Sequence, residues 1–136
     1  MSFAWFKKKP EINLSGMPEN VMRLTGEKKV GPNCWNATIL FFEPTEEARY
    51  TSPEEMTEWL NSNTAIDEYK FCAVGSILAL YNNKDLLIHT AVYVSPGILW
   101  HKRGIGGHWE FVTERQLKAI YFEAKRREYR IIKDAA

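Results

Sequence analysis

The spacing of apolar residues changes character near residue 70. Upstream, apolar residues recur at helical intervals; downstream, they come in short runs rich in β-branched and aromatic residues, separated by turn formers. Residues 34–42, Cys34-Trp35-Asn36-Ala37-Thr38-Ile39-Leu40-Phe41-Phe42, are apolar on nearly every side and fit a buried helix or a buried strand equally by period. The break at Gly31-Pro32-Asn33 favours a helix that begins at Cys34. Ser52-Pro53-Glu54-Glu55 combines a capping serine, a proline suited to the first helical position and a glutamate three residues after the cap. Met56, Trp59 and Leu60 give the helix that follows one apolar face. Residues 1–30 contain Pro10, Gly16, Pro18 and Gly26 among scattered charges and read as an irregular arm with one short helix over 19–24.

Turn formers at Asn82-Asn83, Pro96-Gly97 and 104–107 divide the second half into consecutive antiparallel strands over about 72–81, 86–94, 98–102 and 109–112. Thr113 and Gln116 offer a second capping box, predicting a helix to about residue 125. The tail 128–132 either extends that helix or forms a last strand, because Tyr129, Ile131 and Ile132 satisfy neither template cleanly. Helices followed by a meander of strands is the α+β pattern, here a single layer of sheet covered by helices, with residues 31–136 as its domain.

Composition narrows the class. The 136 residues, 45% hydrophobic and 26% charged, match a single globular domain and argue against disorder or a coiled coil. Eighteen basic against seventeen acidic residues leave a net charge of +1, so no overall field draws nucleic acid or an anionic membrane. No apolar run approaches the roughly 20 residues of a transmembrane helix. The three lysines at 7–9 follow an aromatic cluster, the reverse order of a secretory signal, and the compartment stays open.

At a helix start, free backbone N–H groups and the positive end of the dipole stabilise a thiolate, which makes Cys34 a candidate nucleophile beside its plainer role as a small core side chain. His89 interrupts the otherwise apolar strand Leu86-Leu87-Ile88-His89-Thr90-Ala91-Val92-Tyr93-Val94 and needs a partner. A base of this kind requires a third polar group on its far ring nitrogen, and His101, twelve residues on across Pro96-Gly97, is the candidate. A three-residue loop over 95–97 sets His101 opposite Ala91 and diagonal to His89; a bare two-residue turn puts the two histidines on opposite faces unless a bulge intervenes. Cys72 reads as core packing, with a Cys34–Cys72 disulfide as the exported alternative. Trp35, Trp100, Trp109 and His108 either line a cleft or serve as core and loop residues, and Lys102 and Arg103 read as paired surface charge. No close Cys or His pair has the spacing of a zinc site, so neither metal nor cofactor is expected.

Cys34 on a helix start, His89 on a strand and a polar residue twelve further on resemble the NlpC-type peptidoglycan peptidases of the papain-like superfamily. The resemblance spans residues 31–112 and includes Val74-Gly75-Ser76-Ile77-Leu78-Ala79-Leu80 before the histidine strand and Ala91-Val92-Tyr93-Val94 after His89. It implies a papain-like α+β domain whose nucleophile helix packs on a small antiparallel sheet. It also implies Cys34 as nucleophile, His89 as general base and His101 as the group that orients the base. The oxyanion would then lie against the Cys34 backbone N–H and a side-chain donor, with Asn33 nearest. Asn33-Cys34-Trp35-Asn36 replaces the usual Asp, Cys, Ser and Gly, and Met22 stands at the offset of the family's upstream tyrosine. The implied substrate is a peptidoglycan stem peptide, cleaved by an endopeptidase or an amidase, which would put the chain in the periplasm or cell envelope. The alternatives are a thiol-dependent deamidase or acyltransferase, and a non-catalytic cell-wall or protein binding module on the same fold.

Overall fold

The computed structural model describes residues 17–133. Along the chain these form α1 (Glu19–Leu24), α2 (Cys34–Phe42), α3 (Pro53–Asn63), β1 (Thr64–Ile66), β2 (Ile77–Tyr81), β3 (Leu87–Ser95), β4 (Ile98–Lys102), β5 (Trp109–Thr113), α4 (Glu114–Ile120) and β6 (Arg126–Ile132). The strands make one six-stranded antiparallel sheet in the order β1-β6-β2-β3-β4-β5. The result is a small mixed α/β domain.

Local capping decides the ambiguous run at 34–42. Asn33 Oδ1 accepts the Asn36 N–H at 3.2 Å, one of the donors a helix start leaves open. The same side chain ties α2 to the segment entering α3: Nδ2 donates to Thr51 O at 2.9 Å and Oδ1 accepts from Thr51 N at 3.2 Å. Asn33→Ala is therefore expected to cost about 2 kcal/mol or more, combining a lost cap with orphaned groups at Thr51. Asn33→Asp, which keeps the acceptor, should recover part of that. Urea denaturation checks both, and an alanine variant as stable as the parent removes Asn33 from this role.

Each face of the sheet buries its own cluster. On one face Ile77, Val92, Val94, Ile98, Trp100 and Trp109 meet α2 and α3, together with Met17, Val21 and Leu24. Residues 17–24 of the expected arm thus belong to this core, held also by Asn20 Nδ2 donating to Leu40 O at 2.9 Å. Residues 1–16 of that arm lie outside the described residues. On the other face Leu78, Leu80, Ala91, Tyr93, Leu99 and Val112 pack with Leu117 of α4.

Several expected boundaries move. The first long strand begins at Ile77 rather than 72, because Lys70, Cys72 and Gly75 all have positive φ, which breaks extended pairing. Helix α4 stops at Ile120 rather than near 125, and the tail is a strand. There the gain comes from the sheet: β6 pairs with both β1 and β2, and the Arg126 guanidinium lies 3.9 Å from the Tyr81 ring centroid. The three-residue strand β1, directly after α3, is not signalled by the sequence pattern. At the β3–β4 turn, Pro96-Gly97 forms a two-residue connection with Ser95 opposite Ile98, not the three-residue loop expected. A bulge at Val94 restores the register Val92↔Trp100, so Ala91 and His101 still come opposite each other.

Candidate active site

His89 ends an unbroken register that runs from Ile77↔Val92 to Leu80↔His89; a second bulge, at Ile88, follows before the pair Tyr81↔Leu87. Directly opposed antiparallel residues share a face, so His89 projects with Leu80 onto the side covered by α4. His101, two residues from Leu99, projects the same way, and both histidines are buried. Their rings meet edge to face at 86°, with His89 Nε2 2.8 Å from His101 Nδ1. His101 Nε2 lies 3.0 Å from Oε2 of Glu110, its cross-strand partner on β5. The Tyr121 ring, just past α4, stacks on His89 at 3.9 Å between centroids.

Proton positions along this chain follow from chemistry. An ionised Glu110 only accepts, so His101 Nε2 carries hydrogen; the neutral ring then has its lone pair at Nδ1, which accepts from His89 Nε2–H. His89 Nδ1 is left as a bare lone pair, buried and, among the described residues, without a hydrogen-bond partner. Burial holds both imidazoles below the usual histidine range, His89 well below, with the neighbouring ring adding to the effect on His89 and Glu110 opposing it on His101. The pair is neutral at neutral pH.

That has a consequence for stability. An imidazole kept unprotonated in the fold, but free to bind a proton when unfolded, contributes stability present above about pH 6.5 and lost as pH falls toward its depressed folded value. Unfolding free energy is accordingly expected to fall between pH 6.5 and 5, and His89→Gln should flatten part of that slope in denaturant titrations. An unchanged slope refutes the assignment.

Cys34 approaches from the other side. It is the first residue of α2 and belongs to the opposite core cluster, buried against the sheet. Burial pushes its thiol from 9.0 up to about 12, while the backbone N–H groups of Thr90, Trp35 and Cys34 and the Lys102 ammonium pull the other way. The sulfur thus lies against the main chain of Thr90, the residue next to His89, and the Thr90 hydroxyl faces Cys34 O at 3.5 Å and Thr38 Oγ1 at 2.7 Å. The fold brings His89 and His101 into direct contact and sets the thiol at the adjoining peptide, with no hydrogen bond between the thiol and His89 Nδ1.

The remaining residues singled out from the sequence fall elsewhere. Asn33, the expected oxyanion donor, is engaged with Thr51. Trp35 and Trp100, read from the sequence as either cleft wall or core, stand in the core, and Trp100 Nε1 donates to Thr25 Oγ1 at 2.9 Å. His108 is exposed and bridges to Lys28. Lys102 is not paired surface charge: it is buried, donating to Gly104 O and Ile105 O at 2.9 and 2.8 Å. Cys72 is half-buried and packs against the α4-side cluster, and neither cysteine is in a disulfide.

Two participants, Glu110 and Tyr121, escape sequence reasoning. The glycine-rich loop leaves the β4–β5 register undetermined, and a helix running to 125 would aim Tyr121 elsewhere. Among the described residues, no cluster of His, Cys, Asp and Glu is arranged to hold a metal ion, and no helix is long and apolar enough to cross a membrane. No protein-family model, curated protein or solved structure matches the chain.

Proposed function

We propose that the chain is a cysteine hydrolase of the papain-like, NlpC-type kind that cleaves an amide bond, with Cys34 as nucleophile, His89 as base and His101 as the group orienting the base. The observation that carries this reading is the lone pair at His89 Nδ1: buried, unpartnered among the described residues and fixed in direction by the chain through His101 to Glu110. An unsatisfied buried acceptor costs roughly 1–3 kcal/mol, a cost that fits a group kept ready for a proton.

This mechanism requires a movement that brings the Cys34 sulfur, on the α2 side of the sheet, to His89 Nδ1, on the α4 side. Nδ1 then takes the thiol proton as sulfur attacks the carbonyl carbon, and the oxyanion lies against the N–H groups at the start of α2. The imidazolium returns that proton to the leaving amine, and water, deprotonated at the same nitrogen, hydrolyses the thioester. The resemblance of residues 31–112 supplies the substrate class, a peptidoglycan stem peptide cleaved by an endopeptidase or an amidase. Deamidation or acyl transfer would use the same thiol.

One observation favours a second reading, a binding module without turnover. Burial raises the Cys34 thiol to about 12, and no hydrogen bond joins it to His89. Digestion of purified peptidoglycan with mass analysis of the products separates the two. New fragments ending at one amide bond support the hydrolase. Intact peptidoglycan, together with a Cys34 that resists thiol-directed electrophiles at neutral pH in the presence of substrate, supports the module.

A further inference from the structure

On the imidazole side of the sheet, α4 leaves a cavity of about 310 Å³ against β2 and β6. Its floor is aliphatic, made of Leu78 and Leu80 from β2 and Leu117 from α4. Lys118, Lys125 and Arg127 stand around it, all exposed, and among the described residues none of their three side chains makes a hydrogen bond or ion pair. Neighbouring arginines behave differently: Arg126 grips Asp85 and Glu128, and Arg130 grips Glu128. Phe122 also borders the cavity and is 78% exposed. Three uncompensated cations over a hydrocarbon floor lack two things, an anion and apolar cover.

We infer that this groove binds an apolar carboxylate of the medium-chain fatty acid class, the hydrocarbon on the leucine floor and against Phe122, the head group among Lys118, Lys125 and Arg127. The size fits, since small-ligand pockets begin near 300 Å³. An acidic peptide fits less well: β2 is paired on both sides, by β3 and β6, so no free strand edge offers main-chain hydrogen bonds to an extended segment. A membrane surface fits less well too, because the feature is a concavity. The inference does not depend on the hydrolase reading: the lining includes none of Cys34, His89 and His101, and shares Tyr121, which stacks on His89.

Titration calorimetry of the full chain with dodecanoate below its micellar concentration tests it. The expected result is saturable one-to-one binding that weakens with salt, with dodecanol at least about ten-fold weaker and acetate not bound. The triple variant Lys118→Gln, Lys125→Gln, Arg127→Gln should lose about ten-fold or more in affinity, and Phe122→Ser should weaken binding several-fold. All four side chains are exposed, so these variants keep the fold, which circular dichroism verifies. Equal binding of dodecanol, equal binding of acetate, undiminished affinity in the triple variant, or binding only to an acidic leucine-containing peptide or to phosphatidylglycerol vesicles each overturns it.

Discussion

Cys34→Ala is expected to abolish amide hydrolysis, a loss of about 10⁴-fold or more, while the protein remains folded. Sulfur is the nucleophile of the first step, so alanine leaves no acyl-enzyme to form and nothing for the water step to hydrolyse. The fold survives because the side chain removed is small, at the start of α2, and its core contacts are shared among larger neighbours. Cys34→Ser should be nearly as inactive, since a hydroxyl at the same place is harder to deprotonate by an imidazole whose own proton affinity is low. His89→Ala should match it within an order of magnitude. His101→Ala should keep a remnant, because the base survives but loses its orientation, and Glu110→Gln should lose least. Activity should persist well below pH 6.5, where an ordinary histidine base is protonated, because burial keeps His89 neutral there. The readout is initial rate against pH on the fragment-yielding substrate. Full activity in Cys34→Ala would falsify the mechanism, and an acid limb centred near 6.5 would remove His89 as the buried base.

How much of this was legible in the sequence depends on the range over which each feature is determined. The starts of α2, α3 and α4 are written in a few consecutive residues, with Asn33, Ser52 and Thr113 each accepting a backbone N–H inside its own first turn. Strand β4 is equally local, an apolar run between a Pro-Gly turn and a glycine-rich loop. The tail is not local: 126–132 becomes a strand because Tyr81 and Leu78, some fifty residues upstream, pair with Arg126 and Tyr129. The histidine pair stands between these cases. Period-two alternation makes the contact readable once the register is known, yet the register depends on a bulge at Val94 that no residue type announces.

Cys34 shows the limit most clearly. Residues 34–42 are buried almost all round, from Cys34 through Phe41, so the run has no polar stripe to reveal which side faces the sheet. Helix start and candidate thiol are therefore visible from the chain, whereas the face from which the thiol meets β3 is decided by tertiary packing. Glu110 was hidden for a related reason. Its partner His101 lies across a loop whose length alone does not fix pairing, and an acidic residue on a half-buried strand reads as solvent-facing until the facing histidine is known.

Trp100→Ala is expected to destabilise the domain by about 3–5 kcal/mol, the range for emptying a buried aromatic site. Trp100 is fully buried in the middle of the α2-side cluster, and its ring lies 6.2 Å from that of Phe41. Its Nε1 donates to Thr25 Oγ1 at 2.9 Å, and Thr25 in turn donates to Val21 O at 2.6 Å, so one indole links β4 to α1. Against a total of about 5–15 kcal/mol for a domain, this loss is large, and Tm should drop by roughly 10–20 °C. Two further variants separate packing from hydrogen bonding. Trp100→Phe keeps most of the buried ring and should cost about 1–2 kcal/mol, whereas Thr25→Val leaves the indole N–H without its acceptor and should cost about 1–3 kcal/mol. A midpoint for Trp100→Ala within 1–2 °C of the parent, roughly the shift of a surface substitution, would show that the cluster can close over the gap and that α1 is held by other contacts.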